Sequence, residues 1–103
     1  MTTYKSKVMN ESTKAFFESV LLLKDVDECA RFFEDICTIK ELQSIAQRLE
    51  VVKLLAQEKT YNEIETETGA STATISRINR CLYYGADGYK LVLKRLGYMD
   101  EDK

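Results

Sequence analysis

Histidine and proline are both absent from the 103-residue chain, and glycine and cysteine are scarce, at four and three residues. Without histidine, the usual general base and a frequent zinc ligand, acid–base catalysis and a zinc site both lose their footing. Cys29, Cys37 and Cys81 are odd in number and lack CxxC spacing. That argues against a metal centre and against a secreted disulfide scaffold, and the expectation is that they are small core residues. The isolated glycines offer no phosphate loop, and no nucleophile elbow is present. Glu63, Glu65 and Glu67 alternate along a short helix and cannot converge on one substrate. No enzyme, metal or cofactor is expected. With no proline-rich or glycine-rich linker and no repeat, one domain over 1–103 is expected. Residues 1–9 form a disordered arm and 98–103 a short acidic tail. No run of eighteen apolar residues and no signal-peptide pattern occurs, so a cytoplasmic protein without membrane contact is expected.

What is present is helical periodicity. Asn10 opens a first helix, over about 11–23, and Asp25 a second, in which Val26, Cys29, Phe32, Phe33 and Ile36 form an apolar side. Thr38 and Glu41 make a capping box before a long third helix that runs to about residue 57. Its face of Ile39, Leu42, Ile45, Ala46, Leu49, Val52 and Ala56 is the clearest periodicity in the chain. Asp87 is placed to cap a sixth helix, whose shared face is Tyr89, Val92, Leu93 and Leu96, and Gly97 ends it. No segment alternates with period two for long enough to suggest a strand. The fold class is all-α, with six helices. The first two helices carry four phenylalanines within eighteen residues on broad apolar surfaces. A helix apolar on most sides is usually buried all round, so a homodimer is expected in preference to a monomeric bundle.

Residues 60–84 read as a helix-turn-helix. Thr60 and Glu63 form a capping box, Gly69 falls where a left-handed residue is needed, and Ser71 caps the next helix. Ile75, Ile78 and Leu82 make the inward stripe of that helix. Ala73, Ser76, Arg77, Arg80 and Tyr84 lie on the opposite face, which has small residues, two arginines and no carboxylate. Such a face suits a major groove, where arginine can fork onto guanine O6 and N7. The net charge of −2 does not advertise nucleic-acid binding, but its distribution is uneven. Residues 24–50 hold four basic and seven acidic residues, whereas 69–99 hold five basic residues against Asp87 alone. An ordinary solvated face would fit Lys90, Lys94 and Arg95 equally well.

The run EIETETGASTATISR, residues 63–77, resembles the DNA-reading segment of the tryptophan repressor (TrpR-like) superfamily, through Gly69, Ala70, Ala73, Thr74, Ile75, Ser76 and Arg77. From about Val20 to the C-terminus the chain is similar to the smaller YerC/YecD-type branch. The resemblance implies an intertwined homodimer that presents two recognition helices. In the tryptophan repressor the indole lies between two arginines. One is matched here by Arg77, the other aligns with Gln47, and the glycine that leaves space is matched by Ile78. Arg48 points about 100° away from Gln47 around the helix. A candidate effector pocket of Gln47, Thr74, Arg77 and Ile78 is therefore not expected to hold tryptophan, and a different small-molecule effector, or none, is open.

The reading is a sequence-specific regulator of double-stranded DNA, a repressor, acting as a homodimer on an inverted repeat. Ser71, Thr72, Ala73 and Ser76 meet base edges, and Arg77 and Arg80 reach a base edge or the backbone. Lys59, Tyr61 and Asn62 contact phosphates. For Ser71 and Thr72 capping alone is the alternative, and for Thr74 packing. Glu65 counts against DNA, since relatives tend to carry a basic residue there. The alternative function is a helix-turn-helix used for protein contacts without specific DNA binding.

Overall fold

The computed structural model describes residues 4–100, among which are six α-helices and no strand. In order they are α1 (Glu11–Val20), α2 (Val26–Ile36), α3 (Ile39–Ala56), α4 (Tyr61–Thr68), α5 (Thr72–Tyr84) and α6 (Gly88–Leu96). The all-α class read from the sequence is the one observed. The chain divides into two compact units, one ending at Leu42 and the other starting at Gln43.

In the first unit, α1 opens on a reciprocal cap. Asn10 Oδ1 accepts from the Thr13 N–H, and Thr13 Oγ1 accepts from the Asn10 N–H, both at 2.9 Å. The helix stops at Val20 and does not run on to residue 23. The chain there tightens into three-residue turns, with Leu22 N–H donating to Ser19 O and Leu23 N–H to Val20 O. Asp25 then caps α2 by accepting from the Glu28 N–H at 2.9 Å. The Phe16 ring lies 5.7 Å from Phe17, 5.9 Å from Phe32 and 6.2 Å from Phe33, centroid to centroid. Despite this cluster, no residue of α1 or α2 is buried. Leu21, Leu22 and Val26 are 76–85% exposed. The expectation that the cysteines are core residues is corrected. Cys29 and Cys81 are exposed and Cys37 is half-buried: no residue of α2 is fully buried, and Cys81 lines an open cavity. Of the expected arm, residues 1–3 lie outside the described residues. Val8 is tied in, its N–H donating to Ser6 Oγ and its carbonyl accepting from Thr13 Oγ1.

α3 starts at the expected box. Thr38 N–H donates to Glu41 Oε1 at 2.8 Å, and Glu41 N–H to Thr38 Oγ1 at 3.0 Å. The Thr38 backbone N–H, and then its hydroxyl, hold the Glu41 carboxyl below its ordinary range. A carboxyl lowered by folding stabilises the fold above its unfolded pKa, and this is lost as pH falls through the lowered value. The apolar stripe of α3 is used unevenly. Ile39 and Ile45 are exposed, whereas Val51 and Val52 are fully buried.

The core of the second unit gathers Val51 and Val52 from α3, Ile64 from α4, Ala70 from the turn, Ile75, Ile78 and Leu82 from α5, and Leu93 from α6. α3 ends in a Schellman motif, with Glu58 N–H on Leu55 O and Lys59 N–H on Leu54 O. The left-handed residue there is Glu58, at φ 62°. Two expectations are corrected at the C-terminal end. Asp87 does not cap α6: at φ 64° its backbone is left-handed, not in the extended form a cap uses, and its side chain makes no capping bond. Its carboxylate lies 3.9 Å from Lys90 Nζ. Tyr98 and Met99 are not solvated tail but pack on the core. Tyr98 N–H donates to Leu93 O at 2.8 Å, and Lys53 Nζ sits 5.4 Å from the centre of its ring. On α6 only Leu93 is buried, and Val92 and Leu96 stay about half exposed.

Gly85 ends α5 without a left-handed turn, at φ −93°. Its N–H donates to Cys81 O at 2.9 Å, and a Cβ here would press against that same carbonyl. The requirement is close approach, so Gly85→Ala is expected to lower stability by about 1–3 kcal/mol. Urea unfolding at constant pH, read by helical circular dichroism, checks this.

Candidate nucleic-acid interface

α4, the turn and α5 are built by local rules. Thr60 Oγ1 accepts from the Glu63 N–H at 3.2 Å, and Glu63 Oε1 returns to the Thr60 N–H at 3.4 Å and its hydroxyl at 3.0 Å. Ile64 faces the core, and Gly69 reverses the chain at φ 75°, with its N–H on Glu65 O. Ser71 then caps α5, accepting from the Thr74 N–H at 3.2 Å while donating to Thr74 Oγ1 at 3.0 Å. The turn is held from below by α3. Gln47 Nε2 donates to the Thr68 carbonyl at 3.0 Å. Thr68 Oγ1 in turn donates to Ile64 O at 2.7 Å and accepts from the Ala70 N–H at 3.1 Å.

With Ile75, Ile78 and Leu82 buried, the other side of α5 is turned outward. Ala73, Ser76, Arg77, Arg80 and Tyr84 are all exposed. No salt bridge engages Arg77 or Arg80 among the described residues. Thr72 is exposed, and its hydroxyl donates to Glu65 Oε1 across the turn. Glu65, read from the sequence as a carboxylate counting against DNA, is thus engaged within the motif. Lys59 Nζ lies 3.9 Å from Glu63 Oε2. Asn62 is exposed, and Tyr61 is half-buried against the core. The three glutamates of α4 point to separate neighbourhoods: Glu63 to Lys59 and Thr60, Glu65 to Thr72, and Glu67 to the exposed surface.

Gln47, Thr74, Arg77 and Ile78 line one cavity of about 380 Å³, together with Ser44, Arg48, Cys81 and Tyr89. Arg48 points about 100° away from Gln47 around α3, and both line this cavity. Residues 44, 47 and 48 stand at i, i+3 and i+4, so the cavity spans an arc of α3 wide enough for all three. Burial pushes the Tyr89 phenol up, the positive charge of Arg48 opposes this, and Cys81 adds to the rise. The lining carries two guanidinium groups and no carboxylate, so an occupant would be drawn by negative charge. Gln47 is occupied with Thr68, and the branched Ile78 side chain is part of the lining.

A family model described as Trp repressor protein matches residues 11–97. A curated relative, the uncharacterized protein YerC of Bacillus subtilis (strain 168), is 57% identical over 90 residues, covering 87% of this chain and 86% of its own. The crystal structure of a TrpR like protein from Eubacterium eligens superposes with a TM-score of 0.86 at 50% identity, covering 92% of this chain and 98% of that one. A crystal structure from Staphylococcus aureus superposes with a TM-score of 0.85 at 44% identity, covering 90% and 93%.

L-tryptophan is expected to give no binding heat at micromolar concentrations in calorimetric titration. A micromolar Kd would show that Gln47 and Ile78 do not close the cavity to an indole.

Proposed function

The chain belongs to the Trp repressor family, in its YerC-type branch, and from that premise we propose that it is a transcriptional regulator, a repressor, binding an inverted-repeat operator as a homodimer. The observation that carries the reading is the outward face of α5. It is exposed, free of carboxylates and supplied with Arg77 and Arg80, while the opposite face of the same helix is locked into the core. Ala73 and Ser76 are small enough to let the helix approach base edges, and the arginines are long enough to reach guanine or phosphate. Thr72 and Ser71 lie at the leading end of the helix, and Asn62 and Lys59 flank it as candidates for phosphate. A cytoplasmic location goes with this role, and no helix among the described residues is long and apolar enough to cross a membrane.

The homodimer is supported by what the chain leaves uncovered. Leu21, Leu22, Val26, Ile36, Ile39 and Ile45 are 48% exposed or more. Large apolar side chains left open in this number on a small chain support an interaction role. A second copy would cover these side chains. Light scattering at micromolar concentration is expected to give twice the chain mass, for an interface above about 2,000 Å²; a monomer would remove the dimer.

A two-fold pair requires an inverted repeat whose half-sites lie about 34 Å apart. Few cations are available on the motif, namely Lys59, Arg77 and Arg80 in each copy. The slope of log K against log salt should therefore be no steeper than about −5. Fluorescence anisotropy on selected and scrambled duplexes is the test. Ala73→Tyr is expected to abolish specific binding by steric clash while leaving the fold intact. Arg80→Ala is expected to cost about 1–3 kcal/mol per half-site if it reads guanine. If wild type and both variants bind both duplexes alike, the helix-turn-helix serves protein contacts instead.

A further inference from the structure

We propose that Glu65 and Thr72 act together as a base-reading pair that selects cytosine at one position of each half-site. The inference rests on the DNA-binding reading above and adds a residue that the carboxylate-free face of α5 does not include. Thr72 is the first residue of α5, the end of a recognition helix that leads into the groove. Its hydroxyl donates to Oε1 of Glu65, seven residues earlier on α4. The bond crosses the turn and holds the α4 carboxylate at the leading tip of α5. Thr72 is exposed and Glu65 partly so, which leaves the pair open to an approaching base pair.

The hydrogen-bonding capacity of this corner is one-sided. Thr72 has spent its only hydroxyl proton on Glu65, so its oxygen offers lone pairs alone, and an ionised carboxylate has no proton to give. Next to them the Ser71 hydroxyl donates to Thr74 Oγ1, and Ala73 has no polar side-chain atom. The Glu65–Thr72 pair therefore presents acceptors only, beside the free backbone N–H groups of Thr72 and Ala73 at the start of the helix. Guanine O6 and N7 and thymine O4 are acceptors as well, and would face the carboxylate without a proton between them. Adenine offers its amino group beside N7, which repels the second carboxylate oxygen. Cytosine offers the N4 amino group and carries no N7 on its own ring, and is the edge that satisfies the pair. A wrong base leaves a desolvated carboxylate unpaired, so most of the discrimination comes from the penalty, not from the gain. The same charge repels phosphate, so Glu65 lowers affinity for every duplex while sharpening the choice among them.

The test is selection of bound duplexes from a random pool at fixed salt, using the full chain as wild type, Glu65→Gln, Thr72→Val and Thr72→Ser, each first shown by thermal melting to be folded. Wild type and Thr72→Ser are expected to enrich an inverted repeat with cytosine at one position per half-site. Glu65→Gln is expected to enrich the same repeat with the cytosine preference reduced on the order of tenfold at that position alone, and to bind scrambled duplexes more tightly. Thr72→Val should weaken the same single preference. An unchanged cytosine preference in Glu65→Gln overturns the inference and leaves Glu65 as a strap between α4 and α5. So does an equal loss of preference at every position. A wild type that enriches no sequence overturns the DNA-binding reading, and this inference with it.

Discussion

The burial of Ile75, Ile78 and Leu82 is the constraint from which the rest of the second unit follows. Each contributes about 1.5–3 kcal/mol on leaving water, and at 3.6 residues per turn the three cover one side of α5. A helix pinned through one side has no freedom to rotate about its axis. The residues 100–180° away are therefore presented to solvent at a fixed angle, and these are Ala73, Ser76, Arg77 and Arg80. Ile64 and Ala70 pin α4 and the turn to the same core. Rigidity of the outward face is thus a consequence of core packing, which is how a helix of modest charge can hold its few polar contacts in register.

Gln47 links that core to the cavity beside it. Its amide satisfies the Thr68 carbonyl, one of the free carbonyls at the end of α4. An arginine at the same place would bring a charge into a half-buried turn and a longer fork than one carbonyl can use. The cavity keeps two guanidinium groups all the same, from Arg48 and Arg77. A charged residue at position 47 would therefore change both how the turn is held and the charge that lines the cavity.

Much of this was legible in the sequence because it is local. Asn10, Asp25, Thr38, Thr60 and Ser71 each act through the amide three residues on, and the i, i+3, i+4 spacing of Ile75, Ile78 and Leu82 marks their side of α5 without reference to any other element. What was not legible depends on partners far along the chain or on backbone state. Asp87 has the right side chain for a cap but a left-handed backbone that turns it to Lys90. Tyr98 follows a helix-ending glycine and looks like tail, yet it docks through Leu93 and Lys53. The bond that Glu65 accepts was not legible because its donor, Thr72, lies on the other side of the turn. The candidate site was read well as a set of faces and poorly as a set of bonds, since faces follow from period and bonds across a turn do not.

The first unit poses the opposite problem from the second. Its helices are well capped, and Phe16 gathers three other rings around it, but α1 and α2 bury no residue completely. Caps and aromatic pairs are worth on the order of 1 kcal/mol each, whereas ordering the backbone costs about 1–2 kcal/mol for every residue fixed. Helices of 10 and 11 residues are also too short to be stable alone in water. Their order must come from burial supplied elsewhere. In the proposed dimer the second copy supplies it, through Leu21, Leu22, Val26 and the exposed start of the α3 stripe. Folding of the first unit and assembly would then be one event.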